Sequence, residues 1–365
     1  MMRTILLLMI TLTLGCSTVK GDINDGVPVS LLEIHVIHVE QGDATLILGP
    51  NHITLLIDGG NAGKGVGSVV PYLKKLGIRP VDGIDYMVAT HLDADHIGGL
   101  DEVIKAGYNI KKKIWFNGSN KTGTVAIDQF FNTATTTTAA TTTAMLLGEV
   151  IDLGNSAKAT VVAVGGKVIG SNTVYGTDEN DKSIALLIQY GGFDYITAGD
   201  LGGGEPAGDA VCTGRSTTQA DVETPLANAM RVGLLGINGV EVMHVNHHGS
   251  ESSTNYNYMN LLTPKVAIIQ TGSGQDDNYQ HPRKDVVENV LGKKGNCISA
   301  PAALVLQTGE GNPIGEKTST DGFVVGDIII RTSGAGSFEV NGSDSAEPNE
   351  NAAAGISGQP FPYDP

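Results

Sequence analysis

The run Thr90-His91-Leu92-Asp93-Ala94-Asp95-His96-Ile97-Gly98-Gly99 decides how the rest of this chain is read. His91, Asp93, Asp95 and His96 are four metal-capable side chains within six residues, a density of imidazole and carboxylate for which core packing has no use. In so short a loop, alternate positions can face one point, so these side chains can serve as ligands to one or two ions. Gly98 and Gly99 permit close backbone approach as the following helix begins. Just upstream, residues 84–90 read as a buried strand. A strand that delivers a polar cluster to its C-terminal end is how α/β sites are built, so the chain reads as α/β.

Working outward toward the N-terminus, residues 31–57 are short apolar runs punctuated by Gln41-Gly42-Asp43 and by Gly49-Pro50-Asn51-His52, ending at Asp58-Gly59-Gly60. These are strands joined by turns. Val69 to Leu76 has helical spacing and stops at Gly77. Toward the C-terminus, strands are expected at 113–116, 159–164, 184–189, 194–198, 240–245, 266–270, 303–306 and 326–331, and helices at 100–106, 125–131, 224–235 and 283–291. Two segments look peripheral. Residues 133–144 are all Thr and Ala, expected as a surface helix or loop, and residues 202–220 read as an inserted loop.

The ends of the chain have another character. Residues 1–16 place Arg3 before a short apolar run that ends Leu14-Gly15-Cys16, the pattern of a lipoprotein-type signal peptide, with 17–28 as a polar tether. The run is too short to cross a bilayer, so the only membrane attachment expected is a lipid on Cys16, and the mature chain is expected to be secreted or held at the cell envelope. In that compartment Cys212 and Cys297 are an even pair able to form one disulfide. Residues 335–365 turn rich in Gly, Ser, Asn and Pro and read as a disordered tail, leaving 29–334 as a single domain with insertions. Across all 365 residues, 41% are hydrophobic and 17% charged, which suits a globular body. The formal net charge of −16 disfavours avid non-specific binding to nucleic acid or an anionic membrane.

The motif, an HxDxDHxGG variant of HxHxDH, resembles the metallo-β-lactamase fold superfamily and within it ComEC-type competence-like hydrolases. Val39 to Ala44, Asp58-Gly59-Gly60, Asn180 to Ser183, Ala198-Gly199-Asp200 and His247-His248-Gly249-Ser250 fit the same family in the same order. The resemblance implies an αββα sandwich and two divalent ions, Zn or Mn. One would be held by His91, Asp93 and Asp200, the other by Asp95, His96, Asp200 and His248, with Asp200 bridging. It implies that Asp58 fixes a ligand histidine and that Asn180 and Ser183 lie behind the ligands. His248 is preferred to His247 as ligand because it precedes Gly249. The third histidine of the fold is missing before the Gly-Asp strand, and Asp93 replaces another, so the carboxylate-rich set leans toward Mn.

Asp95, His247 and His281 are the residues expected to act in catalysis, and Asp43 is expected to be structural. His35 and His38 read as ordinary strand histidines, and Lys182 as either solvated or phosphate-facing. The resulting expectation is a metal-dependent hydrolase, a phosphodiesterase on nucleic acid using metal-activated water. The alternatives are hydrolysis of a small phosphodiester, ester or β-lactam, or a non-catalytic binding module in the envelope.

Overall fold

The computed structural model describes residues 30–204, 219–231, 235–272, 275, 279–292, 298–311, 322–343 and 361–363. The signal peptide, the tether, Cys212 and Cys297 lie outside the described residues. Two sheets of nine described strands each are packed face to face. The first runs in the order 361–363, 338–342, 328–332, 32–36, 45–48, 54–57, 84–88, 110–116, 141–144. The second runs 323–324, 304–307, 266–269, 242–244, 193–197, 185–190, 157–164, 150–154, with 167–168 paired to 157–164.

Each sheet is antiparallel along one half and parallel along the other. The parallel halves matter for function, because their strands share one direction and their C-terminal ends gather at one edge. Residues apolar on both faces explain the layering. In Ala185–Tyr190, Leu186 and Ile188 enter the core between the sheets, while Ala185 and Leu187 pack under outer helices. Leu226, Met230, Tyr258 and Met259 cover the second sheet, and Val69, Leu73, Leu100 and Val103 cover the first. The architecture is the αββα sandwich of the metallo-β-lactamase fold, built around three apolar clusters.

Several elements differ from the sequence reading, Phe361–Tyr363 in the expected tail among them. Residues Phe338–Gly342, expected in the tail, form a strand antiparallel to Ile328–Thr332, with Phe338 and Val340 buried. The Thr/Ala run divides between the end of helix Val125–Thr137, where Thr133 and Ala134 are buried, and the edge strand Thr141–Ala144. Strand Val150–Gly154 closes the second sheet where no element was expected. Most of the expected 202–220 loop, 205–218, lies outside the described residues.

Candidate metal centre

Strand Ile84–Val88 delivers the motif, but Asp93 is the extended N-cap of a short helix, Ala94–Ile97, so Asp95 and His96 ride on a helical turn and not on the expected loop. Asp58 follows strand Thr54–Ile57. Its Oδ1 accepts from the Thr90 backbone N–H at 2.8 Å, and its Oδ2 accepts from Thr90 Oγ1 at 2.6 Å and lies 2.8 Å from His96 Nδ1. A proton is thereby held on Nδ1, and Nε2 is the nitrogen that faces the centre. Asp200 comes from the end of strand Phe193–Thr197, its N–H donating to Ser183 Oγ at 3.2 Å. The turn before it requires glycine: Gly199 has φ +51, and a Cβ there would lie 2.7 Å from Thr90 Oγ1. His247 and His248 follow strand Val242–His244, both in the left-handed region at φ 52 and 51.

The side chains so delivered converge. Asp95 Oδ2 is 3.3 Å from His248 Nε2, which is 3.6 Å from Asp200 Oδ1, which is 3.2 Å from His96 Nε2. Two ligands at ~2.1 Å from one ion stand ~3–4 Å apart, so the spacing suits shared ligation. His96 Nε2, His248 Nε2 and Asp200 Oδ1 are buried and have no hydrogen-bond partner, as does His91 Nε2. Orphaned donor atoms that face one point are what a cation site requires, and a residue set of imidazoles and carboxylates fits a divalent ion. Burial disfavours charge on these groups, yet the imidazoles of His247, His96 and His248 hold the Asp200 carboxyl well below the usual carboxylate range. Against the same burial, Asp200 and Asp58 push His96 well above the ordinary histidine range. The cradle is thus strongly disposed to hold positive charge.

Asp43 is more than structural. Its Oδ1 lies 3.2 Å from His248 Nδ1 and 3.7 Å from His244 Nε2, and it joins two of the convergent groups, with Asp200 and His248 and with Asp58 and His96. The hydrogen bond behind His248 is to the Gln270 carbonyl, 3.0 Å from Nδ1, and Asp43 adds a carboxylate charge beside the same nitrogen. Gly42 makes this approach possible: at φ +129, a Cβ there would fall 2.3 Å from the Asp95 carbonyl oxygen. The Gln41-Gly42-Asp43 turn was visible in the sequence, but its partner His248 comes from the other sheet. Buried His244, with Nδ1 3.3 Å from Thr197 Oγ1, was not picked out at all.

Toward solvent, His247 Nδ1 meets Ser252 Oγ at 2.9 Å, and its Nε2 is 3.5 Å from Asp200 Oδ2 and from Asn180 Nδ2. His281 packs 5.4 Å from His247, centroid to centroid. Both line a cavity of about 510 Å³ with Gln41, Asn61, Asn180 and Gln275. His35, on strand Leu32–Val36, is bonded to Tyr72 of the covering helix Val70–Lys75, away from this cavity. Asp93 lines the same cavity, with its Oδ2 3.8 Å from His91 Nε2. About one-third exposed, it belongs to none of the convergent groups among the described residues, and its Oδ1 accepts from Lys121 Nζ.

Residues 38–132 match the model of the Metallo-beta-lactamase superfamily. ComE operon protein 3 of Bacillus subtilis (strain 168) is 23% identical over 272 residues, covering 70% of this chain and 30% of its own length. Recombination protein 2 of Haemophilus influenzae (strain ATCC 51907 / DSM 11121 / KW20 / Rd) is 24% identical over 263 residues, covering 71% and 26%. The chain therefore spans less than a third of the length of these relatives. Among solved structures, the metallo-beta-lactamase fold protein YhfI from Bacillus subtilis is similar with a TM-score of 0.40 at 14% identity, over 75% of this chain and 96% of that one. A diphosphatase of the PhnP family has a TM-score of 0.36 at 13% identity, over 65% and 86%.

Proposed function

We propose that this chain, which has the metallo-β-lactamase fold and resembles ComEC-type proteins in its motifs, is a metal-dependent hydrolase of phosphodiester bonds acting on nucleic acid. The observation that carries the reading is the convergence of the orphaned Nε2 atoms of His96 and His248 and Oδ1 of Asp200, with Asp95 beside His248, next to a polar cavity that Asp95, Asp200 and His248 line. When bound there, a divalent ion supplies a water of lowered pKa and neutralises charge that develops on the phosphoryl oxygens. The chain's own residues do the rest. Asp58 fixes the ring orientation of His96, and the Gln270 carbonyl, which accepts from Nδ1, fixes that of His248. The carboxamides of Gln41, Asn61 and Asn180 offer donors to a bound phosphate without adding charge.

Burial lowers the His247 imidazole against the pull of Asp200, and burial with His247 and His248 nearby takes His281 well below the ordinary histidine range. Both are therefore neutral at neutral pH. Each must first accept a proton before passing one to a leaving oxygen. The net charge of −16 and a cavity of about 510 Å³ favour a strand end or a short substrate over tracking along a duplex. The same dimensions keep a small phosphodiester as the second reading. Taken with the sequence of residues 1–28, the activity belongs outside the cytoplasm, free or anchored by lipid at Cys16.

The test is turnover of bis-p-nitrophenyl phosphate, single-stranded DNA and a chromogenic β-lactam by protein reloaded with Mn²⁺ or Zn²⁺. Chelator-sensitive cleavage of the phosphodiesters, abolished in a folded Asp200→Ala variant, is expected. Cleavage of the lactam alone would reassign the substrate class, and a metal-loaded protein inert on all three would leave a binding module.

A further inference from the structure

Within the proposed metal centre, the outer half differs from the inner half in what neutralises its carboxylate. The inner half is Asp95, His96, Asp200 and His248, and His91 converges with it through His96 and Asp200. The outer half retains His91 Nε2, 3.7 Å from Asp200 Oδ2 and 3.8 Å from Asp93 Oδ2, but the other oxygen of Asp93 is engaged by the Lys121 ammonium. We propose that Lys121 takes the place of a second metal ion, so that the centre binds one divalent ion, in the inner set, while the lysine neutralises Asp93.

The position of Lys121 is built, not incidental. Glu179 Oε1 accepts at 3.0 Å from both the Leu92 N–H and Asn117 Nδ2, and its Oε2 accepts from Ser119 Oγ at 2.6 Å. The same Ser119 Oγ accepts from the Lys121 N–H at 3.1 Å, and Ser119 N–H donates to Asn117 Oδ1 at 3.0 Å. One carboxylate therefore ties the loop that carries Lys121 to the backbone beside Asp93, and fixes the two side chains against each other. A carboxylate with a lysine salt bridge already made gains less from a metal ion than a free one, and an ion placed there would meet the ammonium at close range. Asp93 is also the carboxylate of the motif that water reaches most easily, so its own desolvation is the least favourable to a tight ion.

The inference rests on the metal-hydrolase reading, and the experiment separates the two. The full chain is stripped by chelator, reloaded with excess Mn²⁺, desalted, and assayed for Mn per chain by mass spectrometry, for the electron paramagnetic resonance of the bound ion, and for phosphodiester turnover. The wild type is expected to hold one Mn²⁺ with the signal of an isolated ion. Lys121→Ala is expected to hold two, with the signal of an exchange-coupled pair, and Asp93→Asn to stay at one. Two ions in the wild type, none in the wild type, one in Lys121→Ala, or loss of the ion in Asp93→Asn would each overturn it. Lys121→Met, which keeps the aliphatic stem, repeats the count should Lys121→Ala not fold. A count of one without turnover sinks the hydrolase reading alone; a count of two with turnover sinks this inference alone.

Discussion

His96 and Asp93 belong to the same ten-residue motif and end in opposite surroundings. His96 is fully buried, with Asp58 behind its Nδ1 and Thr90 joined to both oxygens of that aspartate. Asp93 is about one-third exposed and spends an oxygen on Lys121. Residue type made the two equal candidates. Burial and the partner on the far side of each group separate them, because a ligand is held in place by what stands behind it. The inner half of the centre should therefore be rigid and tight, and the outer half loosely coupled to it.

The largest expected effect tests the inner half. Asp58→Ala leaves the buried His96 without its partner, and breaking a buried pair of this kind costs about 3–5 kcal/mol. Metal affinity should fall by about 10–100-fold as the His96 ring loses its fixed tautomer. Urea unfolding and chelator competition measure the two losses. An Asp58→Ala protein with wild-type metal affinity would mean that His96 is oriented by packing alone, and the contrast with Asp93 would lose its basis.

A middle-sized effect concerns the support beneath the histidine turn. Glu223 is buried and accepts from the N–H groups of Thr254 and Asn255 and from Asn246 Nδ2, so it pins the segment on both sides of His247 and His248. Burial pushes its carboxyl from 4.5 to about 7 in spite of those donors. An acid whose folded pKa is raised is most favourable to folding below its unfolded value, and that contribution is lost as pH rises through the folded one. The window is pH 4.5 to about 7, and 1.36 kcal/mol per unit puts the loss at roughly 3 kcal/mol. Between pH 4.5 and 8 the wild type should lose stability relative to Glu223→Gln by up to that amount, read as diverging urea midpoints. Parallel midpoints would show that the three donors cancel the burial.

Much of this centre was legible where sequence neighbours are also spatial neighbours. Residues 84–99 announce a strand and a ligand-rich turn in one continuous stretch, and Asp200 is marked by its Gly at a strand end. Asp43 was not readable as the partner of His248, because the contact joins different sheets and only the packing of the sandwich brings them together. Lys121 sits in a loop whose position is set by Glu179, again a contact between distant segments. The edge strand Thr141–Ala144 escaped because Thr and Ala give no apolar alternation and its order comes from backbone pairing with Lys113–Phe116. Strand Phe338–Gly342 did alternate, with Phe338 and Val340 inward, but five residues among glycines, serines and asparagines give too short a pattern to stand out.

The smallest expected effect is the sharpest test of the difference between the halves. Lys121 and Asp93 are each about one-third exposed, so water screens their attraction, and fixing a long lysine side chain consumes part of the gain. A double-mutant cycle of Lys121→Met and Asp93→Asn in metal-free protein should return a coupling of about 0.2–1 kcal/mol. Raising salt from 0.01 M to 1 M contracts the screening length from ~30 Å to ~3 Å and should erase most of that coupling. The same cycle on Asp58 and His96 should give several-fold more and hardly respond to salt, since solvent ions do not reach a fully buried pair. Equal couplings with equal salt response would mean that the outer pair is as well shielded as the inner one. Asp93 would then be as plausible an anchor for an ion as His96, and the division of the centre into a tight inner half and a lysine-neutralised outer half would fail.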